Sequence, residues 1–350
     1  MRLPLGRVTS VSGVRVLDLF CGGGGSSYGA LLAGCEVVAG VDAWDVASNT
    51  WRANFPRGKA ICAKLEGEGV LPDVQSLGRI DLLLASPECT NHTCAKGAKP
   101  RSEDSKATAM QVLNYAGSLR PTWIVVENVV HMRSWARYPE FIEGLESLGY
   151  GVTPLVVDAA DVGVPQSRRR LFLVCRLGEE PRIQLPIRDD QARVPVRRIL
   201  DRKGTWDAQL LYKPGRAKAT LERAERAMAA LGKNERFLIV YYGTDGSGGW
   251  QSLDVPLRTI TTLDRFGLVE PGTAGPTLRM LQVPELRRAM GFDEKFHMNQ
   301  GSRRDRIKIL GNGVCPPVMR EIVHALLRES HRAWRPSQLA PGKLNSAVLG

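Results

Sequence analysis

A thiol stands shortly after an apolar run in this sequence. Leu82–Ala85 is continuously apolar, which is typical of a strand buried on both faces of a parallel sheet. Ser86 and Pro87 end the run, because proline cannot donate to a strand ladder and favours a turn. Cys89 follows at the carboxyl end of an interior strand, where open α/β sheets hold their ligands. A buried structural cysteine is the alternative interpretation of a lone thiol.

A carboxylic acid follows the next apolar run. Residues 122–126 predict a second buried strand, which ends at Glu127 and Asn128. A cysteine thiolate is a strong nucleophile toward carbon, and a nearby carboxylic acid donates a proton to a ring nitrogen. Cys89 and Glu127 together suit an electron-poor pyrimidine. The thiolate would add to carbon 6 and the acid would bind nitrogen 3, so that carbon 5 accepts a methyl group. A base inside a duplex must first be flipped out.

A glycine-rich turn follows the first predicted strand. Residues 14–20 form that strand, Cys21 and glycines 22–25 follow it, and a helix spans about 26–32. A second strand, 36–41, ends at Asp42. Strand, glycine turn, helix, strand and acid occur in the order of a mononucleotide-binding βαβ unit.

The absence of two phosphate-binding signatures limits the possible ligands of this unit. The glycines lack the Gly-Lys-Ser/Thr of a Walker loop, and their spacing does not fit the dinucleotide fingerprint. This pattern favours a ligand with adenosine but no pyrophosphate, of which S-adenosylmethionine is the common one. Asp18 would face its methionine end, Asp42 would accept from the ribose hydroxyls, and Asp73 would accept from the adenine amino group. Each acid taken singly is also explained as a helix cap or turn residue.

The composition indicates a globular protein with a polyanionic partner. The 350 residues carry a formal net charge of +12, which favours nucleic acid first and an anionic membrane surface second. A cationic surface that serves only solubility is the alternative. Seven cysteines without tandem spacing do not predict a disulfide framework. No apolar signal region or membrane-spanning run is present, so a reducing cytoplasm is expected.

The alternation of strands and helices up to about residue 178 predicts an α/β fold with a doubly wound sheet. Beyond it, 180–300 has weaker periodicity and reads as a smaller basic domain. Strands are expected there at 237–242 and 258–262, and a basic helix at 217–231. That helix either tracks phosphates or is a plain surface helix.

Taken in order, these motifs resemble those of the DNA cytosine-5 methyltransferases of bacteria and phages. The resemblance covers nearly the whole chain except about 180–250, where that family carries its variable target-recognition domain. The matching motifs are Asp18 to Gly25, Asp42 with Asn54 to Pro56, Asp73, the Pro-Cys motif at Cys89, Glu127 to Val129, Gln166 with Arg168 and Arg170, and Gly311 to Val314.

The resemblance implies a Rossmann-like methyltransferase sheet and a role for each matching residue. Cys89 would be the nucleophile, Glu127 the acid on the base, and Asn128 would hold that strand end. Arg168 and Arg170 would steady the flipped cytosine and the catalytic loop, and Gln166, Arg168 and Arg258 would lie on the DNA side. The implied cofactor-binding residues are Asp18, Phe20, Cys21, Gly22, Gly24, Asp42, Ala43, Asp73 and Asn312.

The resemblance also implies domains and partners. Residues 1–180 would form the cofactor-binding catalytic domain, 181–300 the target-recognition domain and 301–335 a segment returning to the catalytic domain, with 336–350 as a frayed tail. S-adenosylmethionine would be the cofactor and S-adenosylhomocysteine its product. The expected partner is double-stranded DNA, together with a cognate endonuclease if the enzyme belongs to a restriction–modification system. We expect a monomer in the cytoplasm, associated with the nucleoid of a bacterial or phage-infected cell.

Two positions depart from the family pattern. Glu88 stands where proline normally precedes the nucleophile, and a neighbouring carboxylate disfavours the thiolate. Ala43 follows Asp42, and the aromatic expected at that place, Trp44, comes one residue later. RNA cytosine methylation, or an impaired module that only binds cofactor and DNA, are therefore the alternative functions. A zinc site at Cys89, His92 and Cys94 lacks an evident fourth ligand, so no metal is expected.

Overall fold

The computed structural model of the protein describes residues 13–67, 69–87, 104–186, 193–242 and 248–333. A seven-stranded sheet forms its larger part, in the order β3-β2-β1-β4-β5-β7-β6. The first five strands in this order are parallel, while β7 runs antiparallel to both of its neighbours. The strands are β1 (Arg15–Leu19), β2 (Glu36–Asp42), β3 (Lys59–Cys62), β4 (Leu82–Ala85), β5 (Trp123–Asn128), β6 (Tyr150–Asp158) and β7 (Arg169–Leu177).

Helices cover both faces of this sheet, which confirms the predicted doubly wound α/β fold. Buried side chains of α1, α2 and α9 belong to the apolar cluster on one face, and those of α4 and α5 belong to the cluster on the other. The helices of this part are α1 (Gly25–Leu32), α2 (Asp45–Asn54), α3 (Pro72–Gln75), α4 (Asp104–Leu119) and α5 (Tyr138–Ser147). The strand order reverses between β1 and β4, so the carboxyl ends of these strands border the crevice where such sheets bind ligands.

The hairpin β6–β7 is the part of this sheet that the sequence pattern did not distinguish from a parallel pair. Only a short 3-10 turn, Ala159–Val162, and the residues up to Arg168 join the two strands. A parallel connection needs a crossover of about a dozen or more residues, usually with a helix. The short connection therefore forces β7 to run back along β6, with its first residues beside the end of β5.

A five-stranded antiparallel sheet forms the smaller part, in the order β10-β9-β11-β12-β8. The helix α6 (Lys218–Leu231) packs Ala224 and Ala227 against it, which confirms the predicted basic helix. The strands are β8 (Gln209–Leu210), β9 (Phe237–Val240), β10 (Trp250–Ser252), β11 (Phe266–Glu270) and β12 (Thr277–Met280).

The predicted strand at 258–262 is wrong, because this segment forms hydrogen bonds with the larger part of the structure instead. The Ile260 amide donates to Gln166 Oε1 at 2.8 Å, and Thr259 Oγ1 donates to the Ser167 carbonyl at 2.8 Å. The Arg258 amide donates to the Gln251 side chain of β10 at 3.1 Å, so the backbone amides of this segment bind side chains and the segment is not a strand of the small sheet.

The chain returns to the large sheet before residue 301. Three further helices follow β12: α7 (Val283–Ala289), α8 (Arg303–Asn312) and α9 (Pro316–Ala333). Between α7 and α8, the rings of Phe292 and Phe296 contact Tyr28 of α1, with centroid separations of 6.2 and 5.0 Å. None of the helices within the described residues is both long enough and apolar enough to cross a membrane.

Candidate active site

The glycine turn connects β1 to α1 in a conformation that side chains resist. Gly24 has φ 99° and precedes α1, and its amide donates to the Cys21 carbonyl at 2.9 Å. A Cβ atom on Gly25 would lie 2.2 Å from the Val314 carbonyl oxygen. Glycine is thus required at both places, by backbone angle at Gly24 and by close packing at Gly25. Phe20, although not a glycine, also has a positive φ of 55°.

Asp18 lies fully buried beneath this turn. Its Oδ2 accepts from the Ser27 amide at 3.0 Å and from the Ser27 hydroxyl at 2.6 Å. In the part of the chain that the structure describes, no group donates to its Oδ1. Burial raises the pKa of Asp18 to about 7, although the Ser27 hydrogen bonds oppose the shift. A buried acceptor without a protein donor indicates a place for a ligand's donor or a water.

Asp42 lies beside the turn at the carboxyl end of β2. Its Oδ2 accepts from the Gly22 amide at 2.8 Å, and its Oδ1 accepts from the Trp44 amide at 2.9 Å. Burial raises the pKa of Asp42, while these amides and the charge of Lys308 oppose the shift. Each carboxylate oxygen keeps a second lone pair, so the group can still accept from two hydroxyls. Cys21 is buried in the turn, and Ala43 is exposed next to Asp42.

Asp73 does not join this group. It lies on α3 with an exposed side chain, and its Oδ1 forms an ion pair with Lys59 Nζ at 2.6 Å. Lys59 begins β3, level with Ala39 of β2 and before Asp42. The structure therefore gives the Asp73 carboxylate a surface partner and corrects its predicted place beside adenine.

Glu127 is buried at the carboxyl end of β5. Arg170 of β7 lies against it, with its Nε 3.2 Å from Glu127 Oε1. Burial raises the pKa of Glu127, and the charges of Arg170 and Arg168 oppose the shift. Alternation along the strands places Glu127 and Asp18 on the sheet face that α1 and α9 cover, because Val125 and Val16, two residues before each, belong to that cluster. Burial and the arginine charges thus act on the pKa of the Glu127 carboxyl group in opposite directions, and burial has the larger effect.

The end of β4 is joined to the end of β5. Ala85 pairs with Val126, and Asn128 Nδ2 donates to the Pro87 carbonyl at 3.2 Å. Asn128 Oδ1 accepts from the Val129 amide at 2.8 Å, which fixes the side chain in this position. Pro87 is the last described residue before Cys89. Glu88, Cys89 and the loop beyond lie outside the described residues, so the meeting of thiol and acid stays a prediction.

Gln166 and Arg168 are placed differently from the prediction. Gln166 is fully buried, and its Nε2 donates to the Ala289 carbonyl at 3.3 Å. The guanidinium of Arg168, also buried, donates to the carbonyls of Ile260, Gly311 and Gly313 at 3.0, 2.8 and 2.9 Å. The structure corrects both predicted contacts with DNA or base, because these polar groups bind other segments of the chain. They join the large sheet to segments further along the chain, and Arg170 of the same motif contacts Glu127.

The two remaining predicted residues lie nearer the surface. Arg258 is half-buried, and its amide donates to Gln251 Oε1 at 3.1 Å. Asn312 is exposed at the end of α8, between the two glycine carbonyls that Arg168 binds. Among the described residues, no group of three or more His, Cys, Asp or Glu is arranged to hold a metal ion, while His92 and Cys94 lie outside them.

Lys308 is a residue at this site that sequence reasoning missed. It lies on α8, and its Nζ is 4.2 Å from the centroid of the Trp44 ring. Its only signal in the sequence is its position shortly before the Gly311 motif, and only the fold brings α8 against the glycine turn.

Comparison with known proteins agrees with this geometry. The C-5 cytosine-specific DNA methylase family matches residues 14–328 of the chain. The chain belongs to this family. The glycine turn of β1 and the buried acid on β5 both lie within the matched residues.

Relatives of this methylase include proteins named for DNA modification and for tRNA. The type II methyltransferase M.HindV of Haemophilus influenzae is 30% identical over 173 residues, which are 49% of this chain and 56% of that protein. The tRNA (cytosine(38)-C(5))-methyltransferase of Homo sapiens is 30% identical over 174 residues, or 48% of this chain and 44% of that protein. The chain thus spans about half the length of the curated relatives it matches.

Solved structures share the fold of this methylase over most of its length. The S. pombe Dnmt2 methyltransferase superposes with a TM-score of 0.64 at 17% identity, covering 90% of this chain and 98% of that one. A methyltransferase encoded within an E. coli prophage gives 0.66 at 18% identity, covering 91% and 100%.

Proposed function

We propose that this methylase transfers a methyl group from S-adenosylmethionine to carbon 5 of a flipped-out cytosine in double-stranded DNA. One observation carries the proposal: a buried carboxyl group, Glu127, lies at the end of β5 against Arg170 and on the same sheet face as Asp18. The adjacent strand end is tied to it through Asn128 and Pro87, two residues before Cys89. An acid for the base, a pocket for the donor and a thiol for attack would therefore share one edge of the sheet.

The residues of the chain have distinct parts in this chemistry. The Cys89 thiolate adds to carbon 6, and the protonated Glu127 carboxyl hydrogen-bonds nitrogen 3, so that electron density builds at carbon 5. When bound, S-adenosylmethionine supplies the methyl group that carbon 5 takes up. Loss of the carbon 5 proton to a base and departure of the Cys89 thiolate then restore the ring. Arg170 holds the Glu127 side chain in place throughout.

The residues at the glycine turn fit this cofactor. Asp18 Oδ1 is a buried acceptor without a protein donor among the described residues, which suits the ammonium group at the methionine end. Asp42 has lone pairs for the ribose hydroxyls, and Phe20, Cys21, Gly22 and Gly24 form the wall between these two acids. Asn312, exposed at the end of α8, is proposed to contact the cofactor from the returning segment.

Cofactor binding is expected to release a proton from Asp18. Burial raises the pKa of Asp18 to about 7, and an ammonium group beside Oδ1 would favour its carboxylate form. Affinity for S-adenosylhomocysteine should therefore rise as the pH increases from about 6 to about 8. Titration calorimetry in two buffers of different ionisation enthalpy should detect the released proton, and Asp18→Asn should remove it. Equal affinity across this range with no proton release would contradict the assignment.

In the ligand-free protein, titration of Asp18 should make stability fall as the pH rises, which is opposite to its effect on cofactor affinity. The pKa of Asp18 lies above its ordinary value of 3.8, so its contribution to stability is present below about pH 3.8 and is lost as the pH rises through about 7. The cofactor should thus raise the melting temperature more at pH 8 than at pH 6, by about the difference in its affinity.

Charge and relatives support DNA as the substrate. The net charge of +12 supplies phosphate contacts with salt-dependent affinity, and the small sheet within 181–300 is proposed to supply the base contacts. The relatives include type II methyltransferases, and the family itself is described as a DNA methylase family; a cognate endonuclease is the partner that such a role would bring. RNA is the second candidate, because a tRNA methyltransferase is equally similar at 30% identity.

A competition experiment separates these substrates. Purified protein is given labelled S-adenosylmethionine with equal amounts of double-stranded DNA of mixed sequence and of tRNA, and the label in each is counted. We expect the label in DNA, at a context that base-resolution sequencing then identifies. Label in tRNA alone would overturn the DNA assignment while leaving the cytosine chemistry intact.

A substitution at Glu88 tests whether the protein is an active enzyme or an impaired one. Replacing it with the proline that the family usually carries removes a charge that disfavours the neighbouring thiolate, so Glu88→Pro should keep or raise the transfer rate. Complete loss of transfer would show that Glu88 has a role of its own. If the parent protein binds DNA and cofactor tightly without transfer, it is the binding module.

A further inference from the structure

Lys308 lies over the ring of Trp44, two residues after Asp42. Its side chain is exposed on α8, and its Nζ is 4.2 Å from the centroid of the Trp44 ring. The next residue, Ile309, packs onto the turn itself, because a Cβ atom on Gly23 would lie 2.5 Å from Ile309 Cγ2. The ammonium group is therefore brought to the pocket by a helix that already contacts it.

The helix α8 is held at both ends, which fixes the position of the Lys308 backbone. Ser302 and Asp305 form a capping box at its start, and Arg303 binds Asp264 Oδ2 at 2.7 Å. At the other end, the buried Arg168 binds the Gly311 carbonyl at 2.8 Å. A helix anchored in this way presents the Lys308 side chain to the same place in every molecule.

Lys308, Trp44 and Asp42 form one connected group. The Trp44 amide donates to Asp42 Oδ1 at 2.9 Å, and the Trp44 ring lies under the Lys308 ammonium. The positive charge of Lys308 also favours the carboxylate form of Asp42, which burial disfavours. Trp44 stands one residue later than the aromatic of the family pattern, so its ring is one residue further from Asp42 along the chain. Its contact with Lys308 provides an additional interaction that holds the ring.

We propose that Lys308 is a positioning residue of the adenosine pocket, which orients the Trp44 ring beside Asp42, the proposed acceptor for the ribose hydroxyls. The inference rests on the proposed function, because it takes the cofactor to be adenosine-containing. An ammonium ion over an indole ring is attractive even at an exposed site, and arginine makes the same contact. Loss of the contact should weaken cofactor binding without altering the chemical step.

The test compares three variants in their binding of S-adenosylhomocysteine by titration calorimetry. Lys308→Met should weaken binding by about fivefold, which corresponds to ~1 kcal/mol. Lys308→Arg should stay within about twofold of the parent, because it keeps a cation over the ring. Arg304→Met is the matched control, since it removes one exposed charge from the same helix, and it should also stay within about twofold. At saturating S-adenosylmethionine, kcat of Lys308→Met should match that of the parent.

Fluorescence of the ligand-free protein gives an independent readout. Removing the cation from the Trp44 ring should change the tryptophan emission of Lys308→Met, and this change should vanish in a Trp44→Phe background. Unaltered affinity in Lys308→Met, or an equal loss in Arg304→Met, would overturn the proposal. A parent protein that binds no S-adenosylhomocysteine overturns the proposed function itself, and the adenosine pocket with it.

Discussion

Cys89→Ser is expected to abolish methyl transfer while leaving the affinity for S-adenosylhomocysteine within about twofold of the parent. A serine hydroxyl is a far weaker nucleophile than a thiolate at neutral pH, so kcat should fall by about 10³-fold or more. The proposed cofactor pocket lies at β1, β2 and α8, so its affinity should not depend on this side chain. Single-turnover transfer to DNA and calorimetry measure the two quantities.

Cys94→Ser is the matched control for this variant. Cys94 is the other thiol of the same segment, and in the sequence it stands five positions beyond Cys89. It should keep transfer at the parent rate. Substantial activity in Cys89→Ser, or loss of activity in Cys94→Ser instead, would reject Cys89 as the nucleophile.

Glu127→Gln is expected to lower kcat by about 10²- to 10⁴-fold, the range typical of a lost general acid. The amide has nearly the shape of the carboxyl group but cannot transfer a proton to nitrogen 3. Burial raises the pKa of Glu127, a shift in the direction of the acid form that this variant cannot adopt. The rate of single turnover at saturating DNA and cofactor reports the change.

Glu140→Gln serves as the control for the acid. Glu140 is exposed on α5 and pairs with Arg137, so its replacement should leave transfer unchanged. Melting temperatures of both variants check that Arg170, which loses its contact with the Glu127 carboxyl group in Glu127→Gln, does not unfold the site. A Glu127→Gln rate within about tenfold of the parent would show that nitrogen 3 is not protonated by this residue.

The sequence alone could predict features that depend on local pattern. Buried strands are continuous apolar runs, and polar residues directly after them must lie at one edge of the sheet, so the positions of Asp18, Asp42 and Glu127 follow from order alone. The fold class follows from the same alternation of elements, and the structure confirms it.

Side-chain partners could not be predicted in this way. Gln166, Arg168 and Arg170 stand at alternate positions of one motif, yet Gln166 and Arg168 donate to backbone carbonyls while Arg170 pairs with Glu127. Spacing cannot separate an arginine that binds backbone carbonyls from one that faces a substrate, since both need the same charge and reach. Asp73 was assigned to adenine for the same reason, and its pairing with Lys59 depends on how the connection from β3 to β4 folds.

Contacts between segments that are distant in the chain also could not be predicted from the sequence. Lys308 and Trp44 are far apart in the chain and neither contains a motif for the other, so their contact appears only when α8 packs on the turn. The segment 258–262 has a strand-like pattern, but its Ile260 amide donates to the Gln166 side chain and its Arg258 amide to the Gln251 side chain, so it does not pair as a strand. Tertiary context decides such cases over local propensity.

Trapping of the covalent intermediate tests the central claim most directly. Double-stranded DNA in which cytosine carries fluorine at carbon 5 is incubated with the protein and S-adenosylmethionine, since fluorine cannot leave as a proton does and the adduct persists after methyl transfer. We expect a stable protein–DNA complex whose peptide map places the link at Cys89, and no complex with Cys89→Ser. Methylation of ordinary cytosine without any trapped complex, or a link at another residue, would contradict the account.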